Sequence, residues 1–380
     1  MIAIGLMSGT SLDGIDAALV AIQPRGDGYA LELLDFATTP FDETLASALR
    51  AALPPHTGSI ALTAELHRAI GDAFAAAAES LASNRAIAYI ASHGQTVWHD
   101  GERSITLQLG DPFIIRERLN VTVCYDFRSA DCAAGGQGAP LIPYVDALLF
   151  GSAHEDRLGI NLGGIANATL LHRDGQIAAF DTGPGNMLLD AFVRSRTESA
   201  LAFDRDGALA ANGNVDAGLL DEMLADAYFA QAPPKSTGRE RFGPHFLARH
   251  DGRLAQLRLE DGLATLAELT ARTLVEAVDA AGFEPKRAIV AGGGAHNRHL
   301  MSRLQARLSP ARVETSDAMG ISVDAKEAMG FAVLGYETLR GRASNVPRAT
   351  GATRAVPLGA IAPHQLYDLL NDVERECSSS

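Results

Sequence analysis

The strongest constraint on this chain is a pattern that occurs twice: a short glycine-bearing turn set between two apolar β runs. In the first, residues 2–7 form an apolar run, residues 8–14 a turn-rich loop, and residues 15–22 a second run. In the second, residues 158–162 and 165–171 flank Gly163-Gly164. Apolar runs of this length bounded by turn residues read as hairpins. Two related halves of similar size, each opening on a hairpin, would produce the pattern. Two glycine hairpins coinciding by chance would produce it too, and the letters alone do not separate the two.

Around these hairpins, short strands alternate with alanine- and leucine-rich helical stretches, which predicts an α/β fold. Residues 62–82 read as a helix, and 85–92 as a strand entering a loop at His93-Gly94-Gln95-Thr96. Residues 121–125, 177–180 and 286–291 read as strands, and 187–194, 297–308, 324–340 and 365–376 as helices. Gly135-Gly136-Gln137-Gly138-Ala139-Pro140 interrupts the pattern and reads as a crossover between domains. At 380 residues the chain is long for one core, so two domains are expected.

The formal net charge of −14 argues against a protein whose task is to grip nucleic-acid phosphates, which needs clustered Lys and Arg. A small anion held by backbone N–H groups remains open. Cys124, Cys132 and Cys377 are odd in number and contain no CxxC, so neither a disulfide framework nor a zinc site is suggested, as expected in a reducing cytoplasm. The apolar start is followed at once by Asp13 and Asp16 and reads as a buried strand, not a signal peptide. No apolar run approaches the roughly 20 residues of a membrane-spanning helix.

Four motifs could carry chemistry. Gly9, Thr10, Ser11, Leu12, Asp13, Gly14, Ile15 and Asp16 form a loop rich in glycine and hydroxyl groups. Such a loop can aim N–H groups at phosphate, and Asp13 or Asp16 could hold Mg²⁺ through water. A polar hairpin turn would read the same, and no Walker A pattern is present. Asp181, before Thr182-Gly183-Pro184-Gly185 and a helix N-terminus, suits a general base facing a phosphate, or else caps a turn. Gly292-Gly293-Gly294, between a strand and a helix opening at Asn297, could let a nucleotide approach the backbone or only permit tight packing. His93, Gln95, Thr96, Trp98 and His99 mix hydrogen-bonding groups with an apolar face, as a sugar site requires. His93 and His99 lack the companion ligands of a metal site. Asp126, Arg128, Asp131 and Glu327 are further candidates, each of which could equally be a structural ion pair; Arg128 could pair a substrate carboxylate.

In order, over nearly the whole chain, these motifs resemble the anhydro-N-acetylmuramic acid kinase family. The matching stretches include Gly5 to Asp16, Ser92-His93-Gly94-Gln95-Thr96-Val97-Trp98-His99, Gln108-Leu109-Gly110-Asp111-Pro112, Asp126-Phe127-Arg128 and Gly135 to Pro143. They continue through Asn161-Leu162-Gly163-Gly164-Ile165-Ala166-Asn167, Phe180 to Asn186, Gly292 to Asn297 and Asn345 to Ala352.

The resemblance implies a two-domain actin–hexokinase fold of ribonuclease H-like halves, with ATP and Mg²⁺ bound between them. It divides the chain into residues 1–133 plus about 353–380, and residues 134–352. It implies opening of the 1,6-anhydro ring of anhydro-N-acetylmuramic acid by water and phosphorylation of the released 6-oxygen, in cytoplasmic peptidoglycan recycling. Asp181 would be the base. Gly9 to Asp16, Gly163, Gly164, Gly183, Gly292, Gly293 and Asn297 would bind ATP. His93, Gln95, Thr96, Arg128 and Glu327 would meet the sugar. A homodimer is compatible with the resemblance. Around Glu327 the chain departs from the family's usual alanine- and tryptophan-rich run. The rivals are a kinase of the same fold acting on another sugar or polyol, and a nucleotide-sensing protein. The second would need an appended domain, for which the roughly thirty residues after Thr350 are too few.

Overall fold

The computed structural model describes residues 1–9, 12, 14–25, 28–53, 58–82, 85–233 and 235–378. In chain order the strands are β1 (Ile2–Ser8), β2 (Ile15–Arg25), β3 (Gly28–Thr39), β4 (Tyr89–Asp100), β5 (Ile105–Leu109) and β6 (Thr122–Tyr125). They continue as β7 (Arg157–Leu162), β8 (Ile165–Leu171), β9 (Ile177–Pro184), β10 (Arg287–Ala291), β11 (Arg312–Thr315) and β12 (Ala360–Ala362). The chain divides into two compact units, one of Met1–Leu149 with Ala325–Ser380 and one of Phe150–Asp324.

The first unit carries a sheet ordered β12-β6-β4-β1-β2-β3, with β5 paired to β4. β1, β2 and β3 form an antiparallel meander, while β4 runs parallel to β1 and β6 parallel to β4. One face is covered by the helix Ile60–Ala82, whose Leu66, Ile70, Phe74, Ala78 and Leu81 recur at helical spacing and are buried. Helix Lys326–Leu339 packs against β1, β2 and β4. Its approach depends on Gly5 of β1, where an added Cβ would lie 1.8 Å from the Ala328 carbonyl oxygen. Gly335 on the helix is matched to the sheet in the same way, with its added Cβ 2.8 Å from Cβ of Ala91.

The second unit carries a sheet ordered β11-β10-β7-β8-β9. Here β7, β8 and β9 are the antiparallel meander, and β10 and β11 add in parallel on the far side of β7. Its core joins Leu158, Ile160 and Leu162 of the first strand to Leu274 and Val278 of the buried helix Leu259–Ala280. Numbered within each unit, and leaving β5 and β12 aside, both sheets have the order 3-2-1-4-5 with the same strand directions. This is the ribonuclease H-like sheet, built twice, and it resolves the sequence ambiguity in favour of two related halves.

The crossovers lie after Leu149 and before Ala325, not at 133/134 and 352/353 as expected. Asp131 supplies the reason. It is fully buried, and its Oδ1 accepts from Asn345 Nδ2 and Thr350 Oγ1, both at 2.7 Å. Its Oδ2 accepts the Gly138 N–H at 2.8 Å. Gln137 donates its N–H to Thr350 O at 2.8 Å, and Thr353 donates to Ala134 O at 2.9 Å. The Gly-Pro stretch is thereby laced to the 345–353 segment inside the first unit.

Two further expectations change. β4 does not end at Ser92 but runs on through His93, Gly94, Gln95 and Thr96, because β5 pairs with that stretch, with Gln95 opposite Leu109 and Thr96 opposite Gln108. β9 runs on to Pro184, because Gly183 and Pro184 pair with Ala166 and Ile165 of β8.

Candidate active site

In the second unit β7, β9 and β10 point the same way, so their carboxyl ends share one sheet edge. Ligands bind at such edges in α/β folds. The Gly163-Gly164 turn, Asp181 and the Gly292 turn all fall there. Asp181 sits within β9 opposite Asn167, next to an irregularity in β8 between Ala166 and Asn167.

The glycines that follow Asp181 are each required. Gly183 has φ +146°, and an added Cβ would meet the Phe229 ring at 2.8 Å. At Gly185 an added Cβ would lie 2.3 Å from Gly163 O. This closeness lets the N–H groups of Gly185 and Met187 donate to Gly164 O at 2.9 and 3.2 Å, and that of Asn186 to Gly163 O at 2.8 Å. The first N–H groups of helix Asn186–Arg196 are thus taken by the hairpin turn.

Asp181 Oδ2 accepts the Thr237 N–H at 2.9 Å. The Asp181 N–H donates to Lys235 O at 3.1 Å, and Tyr228 Oη donates to Asp181 O at 2.8 Å. Among the described residues, Oδ1 accepts no hydrogen bond, and Asp181 as a whole is only partly buried. Burial pushes the carboxyl up to about 6, opposed by the Thr237 N–H and assisted by the charge of Glu240. A carboxylate poised there suits a general base working near neutral pH. Lys235, Thr237 and Tyr228 went unnoticed in the sequence, where nothing local links them to Asp181.

Gly292 has φ +81°, and an added Cβ would lie 2.9 Å from Asn161 Oδ1 and from Leu162 O. Gly293 is exposed, with nothing nearer to an added Cβ than Asn186 Nδ2 at 3.9 Å. Asn186 Nδ2 donates to Leu162 O at 3.1 Å, and an added Cβ at Gly294 would lie 2.9 Å from its Oδ1. Asn186 therefore stands between the two glycine turns. Asn297 is buried and caps helix Arg298–Arg307, its Oδ1 accepting the Leu300 N–H at 2.9 Å.

The first unit holds the residues expected to meet the sugar and the hairpin expected to meet phosphate. His93 is buried, with Nδ1 2.8 Å from Gly94 O and Nε2 accepting from Arg128 Nε at 3.0 Å. Its ring packs on Phe331, centroids 4.7 Å apart. Burial, then the Arg128 charge, hold the imidazole well below the usual histidine range, so it is neutral. Arg128 also donates to Gly138 O at 2.7 Å. Burial brings its guanidinium down to about 10, against the upward pull of Glu327. Glu327 is half-buried, and burial raises its carboxyl; Lys326 and Arg128 oppose the rise, while Asp16 and Asp146 add to it. His93, Arg128, Glu327 and Asp16 thus form one electrostatic cluster.

Gln95 belongs to the hairpin more than to this cluster. It is fully buried, with Oε1 2.7 Å from Ser8 Oγ and Nε2 donating to Gly9 O at 3.2 Å and Thr96 O at 3.1 Å. Ser8 Oγ also reaches Gly14 O at 2.8 Å, so the two ends of the hairpin turn are tied together. Thr96 Oγ1 accepts from Gln108 Nε2 at 3.3 Å. Leu12 and Ile15 turn their side chains into the core, which leaves them only backbone groups to offer a ligand. Gly14 is forced, since an added Cβ would lie 2.5 Å from Thr39 O. Asp16 Oδ1 accepts from Thr38 Oγ1 at 2.6 Å. Thr10, Ser11 and Asp13 lie outside the described residues. No group of three or more His, Cys, Asp or Glu placed to hold a metal occurs among the described residues.

The whole arrangement has close relatives. An anhydro-N-acetylmuramic acid kinase of Caldanaerobacter subterraneus subsp. tengcongensis is 39% identical, over 94% of this chain and 96% of its own. Those of Xanthomonas axonopodis pv. citri (45% identical, 95% and 97% covered) and Streptomyces coelicolor (41% identical, 95% and 93% covered) are similar. Residues 1–364 match the family described as anhydro-N-acetylmuramic acid kinase, and the chain belongs to that family.

Proposed function

We propose that this kinase uses ATP to convert 1,6-anhydro-N-acetylmuramic acid to N-acetylmuramic acid 6-phosphate, in the cytoplasmic recycling of peptidoglycan. The observation that carries the reading is Asp181, a carboxylate held by one oxygen, open at the other and poised at about 6. Its open Oδ1 takes the proton of the attacking water. The water oxygen bonds to C1, the C1–O6 bond breaks, and O6 takes the γ-phosphoryl group as the bond to the ADP oxygen breaks. Phosphoryl transfer needs mainly positioning and charge neutralisation.

The backbone of Gly9, Leu12, Gly14 and Ile15, with Thr10 and Ser11, is assigned to phosphate. Gly163, Gly164, Gly183, Gly292 and Gly293 are assigned to the nucleotide, with Asn297 as the cap that sets the Gly292 turn. His93, Thr96, Arg128 and Glu327 are assigned to the sugar, and Gln95 to holding the hairpin. Mg²⁺ is assigned to Asp13 or Asp16, through water; Asp16 fits the group in that its charge raises the neighbouring Glu327 carboxyl, a repulsion that a cation there would relieve. Bound there, Mg²⁺ supplies neutralisation of phosphate charge.

The test is a panel of sugars and polyols with a coupled ADP assay and mass detection of the product. ADP release with the anhydro sugar, giving the 6-phosphate, is expected. Release only with another acceptor would transfer the reading to the rival kinase. Light scattering on the same sample tests the homodimer.

A further inference from the structure

We infer that the segment Lys235-Ser236-Thr237, together with Tyr228, is a strap that positions the Asp181 carboxylate and leaves one of its two oxygens available for the water proton. The inference rests on the reading of Asp181 as the base.

The strap meets Asp181 at three points. The Lys235 carbonyl accepts the Asp181 N–H at 3.1 Å, on a residue whose strand neighbours pair with β8. The Thr237 N–H reaches Oδ2 at 2.9 Å, two residues further along. Tyr228 Oη donates to the Asp181 carbonyl at 2.8 Å. Backbone and side chain of the base are therefore held from one direction by one stretch of chain.

The strap is itself anchored. Lys235 Nζ lies 3.5 Å from both Tyr228 O and Phe229 O and 4.9 Å from the centre of the Tyr228 ring. Arg241 lies over the same ring at 5.5 Å, and its Nε donates to Asp226 Oδ1 at 2.9 Å. Phe229 packs against Phe242 with centroids 5.3 Å apart. The absent side chain of Gly183 makes room for the Phe229 ring. A cation over an aromatic face is attracted to it by the ring's electrons, so these contacts tie Lys235 back to Tyr228.

The geometry fixes what each part does. A hydrogen bond donated to a carboxylate favours its charged form, so the Thr237 N–H holds down a pKa that burial raises. Among the described residues, Tyr228 and Lys235 touch Asp181, Arg241 lies over the Tyr228 ring, and Arg239 and Glu240 share the short helix of Arg241. Of these, Glu240 adds to the rise of the carboxyl. Thr237 and Glu240 therefore act in opposite directions on one group. A strap with a merely structural role would move activity and stability without moving the pH profile in opposite senses.

The test is the acid limb of the kcat/KM profile of the full chain, with the anhydro sugar varied at saturating ATP. Thr237→Pro removes the N–H and should shift that limb upward by roughly half to one pH unit, which through lost ionisation lowers kcat/KM at pH 7 by up to about twofold. Thr237→Ala keeps the N–H and should keep the wild-type limb. Glu240→Gln should shift the limb downward. It also keeps the question answerable if the proline variant does not fold. Limbs unmoved in Thr237→Pro and Glu240→Gln, with Asp181→Asn inactive, would overturn the strap while leaving the base in place. Near-full activity of Asp181→Asn would instead overturn the base itself.

Discussion

Arg128 Nε donates to His93 Nε2 at 3.0 Å, which leaves the imidazole proton on Nδ1, where it meets Gly94 O at 2.8 Å. The pair orders both side chains: the ring cannot rotate without losing one bond, and the guanidinium spends one edge on His93 and Nη1 on Gly138 O. Lysine has no fork with which to hold both. Arg128→Lys should raise KM for the anhydro sugar by about tenfold while KM for ATP changes less than about twofold, since the loss is of roughly one charged hydrogen bond. Steady-state kinetics with each substrate varied would show it; equal rises in both constants would contradict the assignment.

The same neutral His93 simplifies the pH dependence. It lies well below the usual histidine range, so it adds no limb near neutrality. Asp181, at about 6, must be ionised to accept a proton. As the proposed base it should make kcat/KM level at pH 7–8 and falling as pH drops through about 6, approaching tenfold per unit below it. A profile flat down to pH 5 would contradict the role of Asp181.

The raised carboxyl also has a cost in stability. The unfolded chain ionises an aspartate near pH ~4 and the folded chain ionises this one at about 6, so folding takes up a proton between the two. Stability from this group is greatest below ~4, falls as pH rises through that window, and stays low above it. Asp181→Asn should melt higher than the wild type at pH 8, with the gap closing toward pH 4. Equal melting temperatures at pH 8 would mean that the carboxylate is well solvated.

Lys326 and Asp146 form an ion pair at 2.7 Å with both side chains almost fully buried. Removing one partner strips the other of its buried ion pair, a change that costs about 3–5 kcal/mol. Lys326→Met should lose about that much in urea unfolding, and adding Asp146→Leu should recover part of it. Additive losses would show that the two residues are not coupled.

Gly5→Ala would press a methyl group against the Ala328 carbonyl, a contact of 1.8 Å between backbone elements that cannot rotate away. The helix Lys326–Leu339 must lift, taking Glu327 with it. A loss of at least about 2 kcal/mol is expected, larger than for a flexible-neighbour clash. Thermal melts would register it.

What the letters revealed follows from what is local. The hairpins β1–β2 and β7–β8 were legible because apolar runs flank glycine, and Asp181 stood out because glycine and proline follow it. His93 and Gln95 misled as loop residues: polarity suggested exposure, yet the strand is buried and partners 87 residues away satisfy Gln95 from Ser8. The Gly-Pro stretch at 135–140 looked like a crossover because Asp131, which accepts the Gly138 N–H, is itself held by Asn345 and Thr350, 214 and 219 residues away. The hold of Thr237 on Asp181, through a backbone N–H 56 residues away, leaves no trace in residue type at all.

The discontinuity of the first unit has a consequence for how the chain is made. Phe150–Asp324 is contiguous, so its sheet can close as soon as residue 324 clears the ribosome. The strands of Met1–Leu149 emerge earlier but must wait, with the face of β1 uncovered, until Lys326–Leu339 arrives to lie on Gly5. The half that is synthesised first is the half that is finished last.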